Sequence, residues 1–289
     1  MIIVLLGPTG SGKSDLALAL AEKLDAAIIN GDAFQVYREL SIATNKPSQD
    51  ILAKVPHFLY DFVPLDSAYS VAEYQADARC VIDFLLQKNQ NIIIEGGTGL
   101  YVKAALYDYE FTSDGPKDLS QYEAKTNEEL YEKLKAVDPA SCEKIHLNNR
   151  QRIIRALEIH ETSGRAKSEI EEEQTHAPIY PAVFMALDVD RSGLYDRVDE
   201  RVDEMFERGL LEETLPLIER YGRDASAFKA IGVKELFPYL DGEITLEEAK
   251  KQIKLNTRRY VKRQLTWLRH QFDLHWVKGL DDALDVIKD

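Results

Sequence analysis

The chain opens on five uninterrupted apolar residues, Ile2-Ile3-Val4-Leu5-Leu6, a run whose length and β-branched content predict a buried strand. From Ser14 to Leu24 the pattern changes period, with Leu16, Leu20 and Leu24 four apart on one helix face. Ala26 to Ile29 is a second short apolar strand, ending in Asn30-Gly31-Asp32. Ser70-Val71-Ala72-Glu73 reads as a capping box, so a helix begins there with Tyr74, Ala78, Val81 and Leu85 along its apolar stripe. That helix leads into the strand Asn91-Ile92-Ile93-Ile94. Continuously apolar strands alternating with helices predict an α/β fold with a parallel sheet covered on both faces, whose ligands gather beyond the carboxyl ends of the strands. Asp32 and the turn Glu95-Gly96-Gly97-Thr98-Gly99 both fall at such ends.

Beyond Asp108 the alternation stops. Residues 108–179 are polar and helix-forming, including helices over Asn127 to Val137 and Arg150 to Ser163. They predict a mainly helical insertion domain within an α/β core made of 1–107 and 180–289. A strand resumes over Tyr180 to Leu187, followed by helical patterns over Leu194 to Arg208 and Leu246 to Phe272. In the last of these Val261, Leu265, Leu268 and Phe272 form an apolar seam, while Lys251, Lys254, Arg258 and Lys262 recur at helical spacing.

Composition adds bounds rather than detail. With 289 residues, 45% of them hydrophobic, the chain buries a large core without help from a disulfide or structural metal. No stretch approaches the roughly 20 apolar residues that span a bilayer, and a strand beginning at Ile2 leaves no room for a leader, so a cytoplasmic protein with no membrane partner is expected. Cys80 and Cys142 match no zinc spacing. The net charge of −14 argues against indiscriminate coating of nucleic acid. Its distribution is uneven, however. Lys250, Lys251, Lys254, Arg258, Arg259, Lys262, Arg263 and Arg269 lie between Ala249 and Phe272 with no acid among them, and Lys144, Arg150, Arg152 and Arg155 form a second acid-free cluster. One such run is ordinarily a solvated helix face. Two on an acidic chain point to a localised anionic partner larger than a metabolite.

The chemistry enters with Gly7-Pro8-Thr9-Gly10-Ser11-Gly12-Lys13-Ser14, which fits G-x-x-x-x-G-K-[ST] between a strand and a helix. Backbone N–H groups of such a loop cradle a di- or triphosphate, Lys13 adds a positive charge, and the Ser14 hydroxyl is a ligand for Mg²⁺. The core is therefore expected to be a P-loop NTPase-like parallel sheet. Phosphoryl transfer from ATP to a small molecule is the default activity of this loop, yet no adenine pocket or lid arginines are evident in the pattern. Asp32 and Gln35 stand close behind the loop, where a carboxylate accepts a proton and an amide reads a base edge. A kinase, a transferase acting on RNA, and an RNA-binding regulator that retains the loop all remain open on the residues alone.

Several segments together are more specific: Gly7 to Ser14, Asn30-Gly31-Asp32-Ala33-Phe34-Gln35-Val36-Tyr37-Arg38, Gly96-Gly97-Thr98-Gly99-Leu100-Tyr101, Arg150 to Leu157, Ala230-Ile231-Gly232-Val233-Lys234-Glu235, and Thr257 to Arg269 with Lys262-Arg263-Gln264-Leu265-Thr266-Trp267. In this order, over nearly the whole chain, they resemble the tRNA dimethylallyltransferases (tRNA isopentenyltransferases). The resemblance implies transfer of a dimethylallyl group from dimethylallyl diphosphate to the N6 amine of adenosine 37 in the tRNA anticodon loop, with release of diphosphate. It places the diphosphate on Thr9, Gly10, Ser11, Gly12, Lys13 and Ser14, with Mg²⁺ at Ser14 and Arg197 or Arg201 clasping from the far side. Asp32 corresponds to the general base, and Thr98 to the residue beside the bridging oxygen. It implies tRNA contacts from Asp32, Ala33, Phe34, Gln35 and Thr98, from Gln151, Arg152, Ile153, Ile154 and Arg155, and from Arg258 and Lys262. The anticodon stem-loop and dimethylallyl diphosphate are the implied partners, with no protein partner. Plainer readings stand beside these roles: Asp32 as a strand-end cap, Thr98 as a turn residue, Arg197 and Arg201 paired with neighbouring acids, and Trp267 as core. The chain departs from the family pattern at Ala33, where serine is usual, at Ile42-Ala43-Thr44-Asn45-Lys46-Pro47, where I-G-T-A-K-P is commoner, and in a stretch after Phe111 that is shorter than usual.

Overall fold

The apolar opening run forms β1 (Ile2–Leu6), buried along its whole length, at the centre of a six-stranded sheet in the computed structural model, which describes residues 1–111 and 120–288. The chain then builds α1 (Lys13–Leu24), β2 (Ala26–Asn30), a single turn α2 (Gln49–Leu52), β3 (His57–Phe58), α3 (Val71–Gln87), β4 (Asn91–Gly96) and α4 (Gly99–Leu106). Ser70 caps α3 with both halves of the expected capping box. Its buried stripe is Tyr74, Ala78, Ile82 and Leu85, so Ile82 takes the place expected for Val81. After the insertion come β5 (Val183–Leu187), α10 (Arg191–Glu207), α11 (Leu210–Tyr221), the short α12 (Phe237–Leu240), α13 (Leu246–Gln271), β6 (His275–Val277) and α14 (Leu280–Lys288). The strand expected from Tyr180 begins only at Val183.

All strands run parallel in the order β3-β2-β4-β1-β5-β6. The register aligns Leu6 with Gly96 and Asn30 with Glu95, so β1, β2 and β4 end side by side. Three loops distant in sequence thus issue from one edge of the sheet. Below them Ile3, Leu5, Leu20, Ile28 and Ile93 form one core. A second core joins Val36, Leu40 and Ala43 to Val202, Met205, Leu210 and Val233.

Residues Tyr107–Ile179 form a separate unit with α5 (Ser120–Glu123), α6 (Asn127–Val137), α7 (Pro139–Lys144), α8 (Arg150–Ser163) and α9 (Lys167–Glu173). Leu130, Leu134, Ile145, Ile153 and Leu157 make its core. Asp138, 1% exposed, accepts from the backbone N–H groups of Ser141 at 3.0 Å and Ser168 at 3.1 Å and from both hydroxyls. Burial works to raise its pKa, but these four donors outweigh burial and hold the carboxyl below its ordinary range. The shortened stretch noted after Phe111 falls on residues 112–119, outside the described residues.

Candidate active site

β1 ends in a turn in which Gly10 and Gly12 adopt φ of +79° and +87°, the left-handed region open to glycine at little cost. α1 begins at Lys13 with no side chain capping its N-terminus, where the first amides of a helix have no partner within it. Ser11 Oγ is buried there with no hydrogen-bond partner, an arrangement costly to fold unless something polar joins it. The Ser14 hydroxyl donates to Glu95 Oε1 at 2.9 Å, and Lys13 Nζ lies 3.8 Å from the same oxygen. Tyr60 completes the cluster by donating to Glu95 Oε2 at 3.2 Å. Burial pushes the Tyr60 phenol well up, and the Glu95 charge adds to it. Glu95, 5% exposed, is a site residue given no role from sequence. Its signal is an ionisable side chain closing an apolar strand, which needs partners of this kind to be buried.

Asp32 sits just past β2, fixed by Asn30, whose Oδ1 accepts from Asp32 N at 2.8 Å and whose Nδ2 donates to Asp32 O at 3.0 Å. One carboxylate oxygen of Asp32 accepts from Phe34 N at 2.9 Å, so the residue does cap its turn. It also lines a cavity of about 220 Å³ together with Thr9 of the phosphate loop. Thr98 Oγ1 accepts from Ala33 N at 3.1 Å, tying the β4 loop to the β2 loop beside Asp32. Glycine is required where these loops touch, because a Cβ on Gly96 would lie 2.2 Å from the Gly31 carbonyl carbon.

α13 locks the arrangement from above. Buried Gln264 accepts from Thr9 N at 3.1 Å and donates to Gly97 O at 3.0 Å, joining the phosphate loop to the β4 loop. Trp267 packs against Gly99, where a Cβ would fall 1.5 Å from the ring. Glu235 accepts from Gly232 N at 2.8 Å and from Asn256 Nδ2 at 2.9 Å, fixing the Ala230-to-Glu235 turn against α13.

The 220 Å³ cavity has an apolar side of Phe34, Val198, Val202, Met205, Ile231 and Ile253 and a polar side that includes Asp32, Arg201, Tyr260 and Arg263. Burial lowers the Arg201 guanidinium, with the Asp32 charge opposing. Burial likewise pushes the Tyr260 phenol up to about 12, again with Asp32 adding. Arg197 is placed differently: its Nε donates to Gly10 O at 3.0 Å, gripping the loop backbone. Gln35 Nε2 donates to Thr44 O at 3.1 Å and Asn45 O at 3.0 Å. A second cavity, of about 340 Å³, lies on the Ser14 and Glu95 side and is also lined by Lys46, His57, Tyr60 and Arg208. Burial draws the Lys46 ammonium down, opposed by its bond to Asp61. Among the described residues no group of three or more His, Cys, Asp or Glu side chains is arranged to hold a metal. A divalent cation here would rely on Ser14, Glu95 and oxygens brought by a substrate, a donor set that suits Mg²⁺.

The basic clusters are divided by their partners. Arg258 pairs with Asp199, and Lys250 and Lys254 reach Asp203 at 2.8 and 2.7 Å. The half of the α13 stripe that faces α10 is therefore neutralised. Arg259, Lys262, Arg263 and His270 instead border an open groove beside Trp267. In the insertion, Arg150 donates to Tyr122 O at 2.6 Å and Lys125 O at 2.8 Å, bracing its own unit. Ile153 is fully buried and packs, as a β-branched residue on the inner face of α8, into the unit's core. Ile154 is half-buried against that core, Arg155 reaches Glu158 at 3.5 Å, and Gln151 and Arg152 are exposed.

A glycine-rich loop at the carboxyl edge of a parallel sheet, sharing one cavity with a carboxylate and an arginine, is the arrangement of a P-loop-like α/β protein. Residues 35–271 match the family model for IPP transferase. The chain is 43% identical over 285 residues to the tRNA dimethylallyltransferase of Anoxybacillus flavithermus, covering 98% of this chain and 92% of that one. It is 45% identical over 294 residues to the Geobacillus thermodenitrificans enzyme of the same name, covering 99% and 93%. Among solved structures, the tRNA isopentenylpyrophosphate transferase of Bacillus halodurans superposes with a TM-score of 0.74 at 35% identity, covering 99% of this chain and 93% of that one. A eukaryotic dimethylallyltransferase acting on tRNA superposes with a TM-score of 0.81 at 31% identity, covering 92% and 69%. The chain belongs to the IPP transferase family.

Proposed function

We propose that the protein transfers the dimethylallyl group of dimethylallyl diphosphate to the N6 amine of adenosine 37 in the anticodon loop of tRNA, in the cytoplasm. The observation that carries this reading is one cavity walled jointly by Thr9 of the phosphate loop and by Asp32. A nucleophile held at Asp32 meets an electrophile held on the loop.

The reaction is a substitution at an allylic carbon. The N6 nitrogen bonds to C1 of the donor, the C1–O bond breaks with its electron pair going to diphosphate, and a proton leaves N6 for the Asp32 carboxylate. Negative charge grows on the leaving group, where the loop amides and Lys13 would offset it. Arg201 adds positive charge from across the cavity, and Arg197 holds the Gly10 backbone in place. Ser14 and Glu95 would hold Mg²⁺, which when bound neutralises charge on the departing diphosphate. Phe34, Met205 and Ile231 exclude water from the reacting carbon. The adenine must leave its stack to enter, a cost of a few kcal/mol that contacts to the anticodon stem-loop offset. Arg259, Lys262 and Arg263 on α13, with Gln151 and Arg152 on α8, supply cations or donors for those contacts.

Mass spectrometry of nucleosides, after incubating unmodified tRNA with the protein and dimethylallyl diphosphate, tests the proposal. N6-dimethylallyladenosine at position 37 supports it. Turnover that requires ATP and a small-molecule acceptor, or tight RNA binding with no turnover, would replace it with a kinase or a regulator.

A further inference from the structure

The loop from Leu40 to Lys46 is tied down from several sides. Its consecutive amides at Ser41, Ile42 and Ala43 all donate to the carboxylate of Glu213 on α11, at 2.8, 2.7 and 2.9 Å. Its carbonyls at Thr44 and Asn45 accept from Gln35, as described above. Lys46 N returns to Ser41 O at 3.0 Å. Asn45 takes φ of +52°, a left-handed conformation that asparagine adopts more readily than most residues but that glycine reaches at least cost. Consecutive N–H groups converging on one anion are how backbones bind phosphate. Here the anion is a side chain of the neighbouring helix.

This loop is a wall with a cavity on each side. Ala43 and Thr44 line the cavity that holds Asp32 and Arg201, whereas Asn45 and Lys46 line the one that holds Ser14 and Glu95. Glu213 lines neither. We infer that Glu213 is a positioning residue for prenyl transfer, clamping the Ser41-to-Ala43 amides so that the wall aligns the allylic carbon with the amine rather than with water. The inference rests on the reaction proposed above. As the C1–O bond breaks, the carbon accepts electrons from whichever nucleophile stands in line. Attack by N6 gives prenylated RNA, and attack by water gives dimethylallyl alcohol; in both, diphosphate leaves with the bonding pair and the nucleophile loses a proton. A displaced wall shifts that partition without altering donor capture, which belongs to the phosphate loop.

The experiment measures dimethylallyl alcohol and prenylated tRNA in the same single turnover, each protein being assayed below its own melting transition. Glu213→Gln keeps the length of the side chain but substitutes an NH₂ group for one acceptor. It should raise the ratio of alcohol to prenylated tRNA about tenfold, in line with the sensitivity of reacting geometry to small displacements, and leave the KM for dimethylallyl diphosphate unchanged. Glu212→Gln, one residue away and exposed, should match the wild type. Asn45→Gly loosens the wall from within the loop, since glycine accepts φ of +52° freely, and carries the test if the Glu213 variant does not fold. An unchanged ratio in the folded Glu213 variant, or in Asn45→Gly where that variant serves, overturns the inference. A wild-type protein that makes no prenylated tRNA refutes the proposed reaction itself, a separate outcome.

Discussion

Replacing Asp32 by asparagine separates its two roles. In the native turn one carboxylate oxygen accepts the Phe34 N–H at 2.9 Å, and an asparagine carbonyl can keep that bond. The new NH₂ then occupies the position of the other oxygen, where it offers a donor to an incoming amine that is itself a donor. The cap survives while the proton acceptor is lost. Folding stability should stay within about 1 kcal/mol of wild type, because no buried hydrogen bond is broken. A positioned acid or base is worth roughly 10²- to 10⁴-fold in rate, or about 2.7 to 5.4 kcal/mol of barrier. The assay is single-turnover prenylation at saturating tRNA and donor, beside a thermal melt and a donor-binding titration. A fall of at least about 10²-fold with donor affinity nearly unchanged is expected. A chemical step at the wild-type rate in fully loaded, folded protein would leave Asp32 as a turn cap and nothing more.

Lys13→Ala should abolish prenyl transfer through weakened diphosphate capture while tRNA binding survives; near-normal turnover at saturating donor would contradict the role given to the loop. Lys262→Gln should weaken tRNA binding uniformly across sequences and flatten its logarithmic salt dependence by about one unit, whereas Arg258→Gln, already paired with Asp199, should change the slope less; equal slopes for wild type and Lys262→Gln would remove α13 from the RNA interface. Asp138→Asn should destabilise the insertion by about 2 kcal/mol at neutral pH, since a buried carboxylate with four donors loses its charge-assisted bonds. Because the folded pKa of Asp138 is depressed, its contribution is complete above the unfolded carboxyl value near 4 and is lost as pH falls through the folded one. The stability gap between variant and wild type should therefore narrow below about pH 4, and a gap independent of pH would refute the electrostatic account.

The alternation of apolar runs with helical periods was enough to foresee the central strands, because strands buried on both faces have to be apolar throughout. The edges were not legible. β3 has two residues and β6 three, too few to show any period, and β6 exposes both His275 and Trp276. Charge was legible as composition but not as pairing. The acid-free run in α13 meets its counter-ions on α10, at Asp199 and Asp203, residues about fifty positions away that no reading of α13 alone could supply. The inward face of α8 was hidden for a related reason: a motif that includes Ile153 does not say which of its residues pack into the unit's core.

What joins the site into one object is a set of side chains bonded to distant backbone, and that kind of bond leaves no periodic trace in a sequence. Gln264 bridges Thr9 and Gly97, Thr98 holds Ala33, Gln35 holds Thr44 and Asn45, and Glu213 holds Ser41 to Ala43. Each tether satisfies amides or carbonyls that an irregular loop cannot pair with itself, which a buried backbone requires. The strand order places the three loops at one edge of the sheet, but adjacency alone would leave each free to move by an ångström or more. In-line substitution tolerates little of that. The tethers therefore do for the loops what the ladder of hydrogen bonds does for the strands, and they explain why K-R-Q-L-T-W, at the far end of the chain from the phosphate loop, belongs to the same site: its glutamine is bonded to that loop.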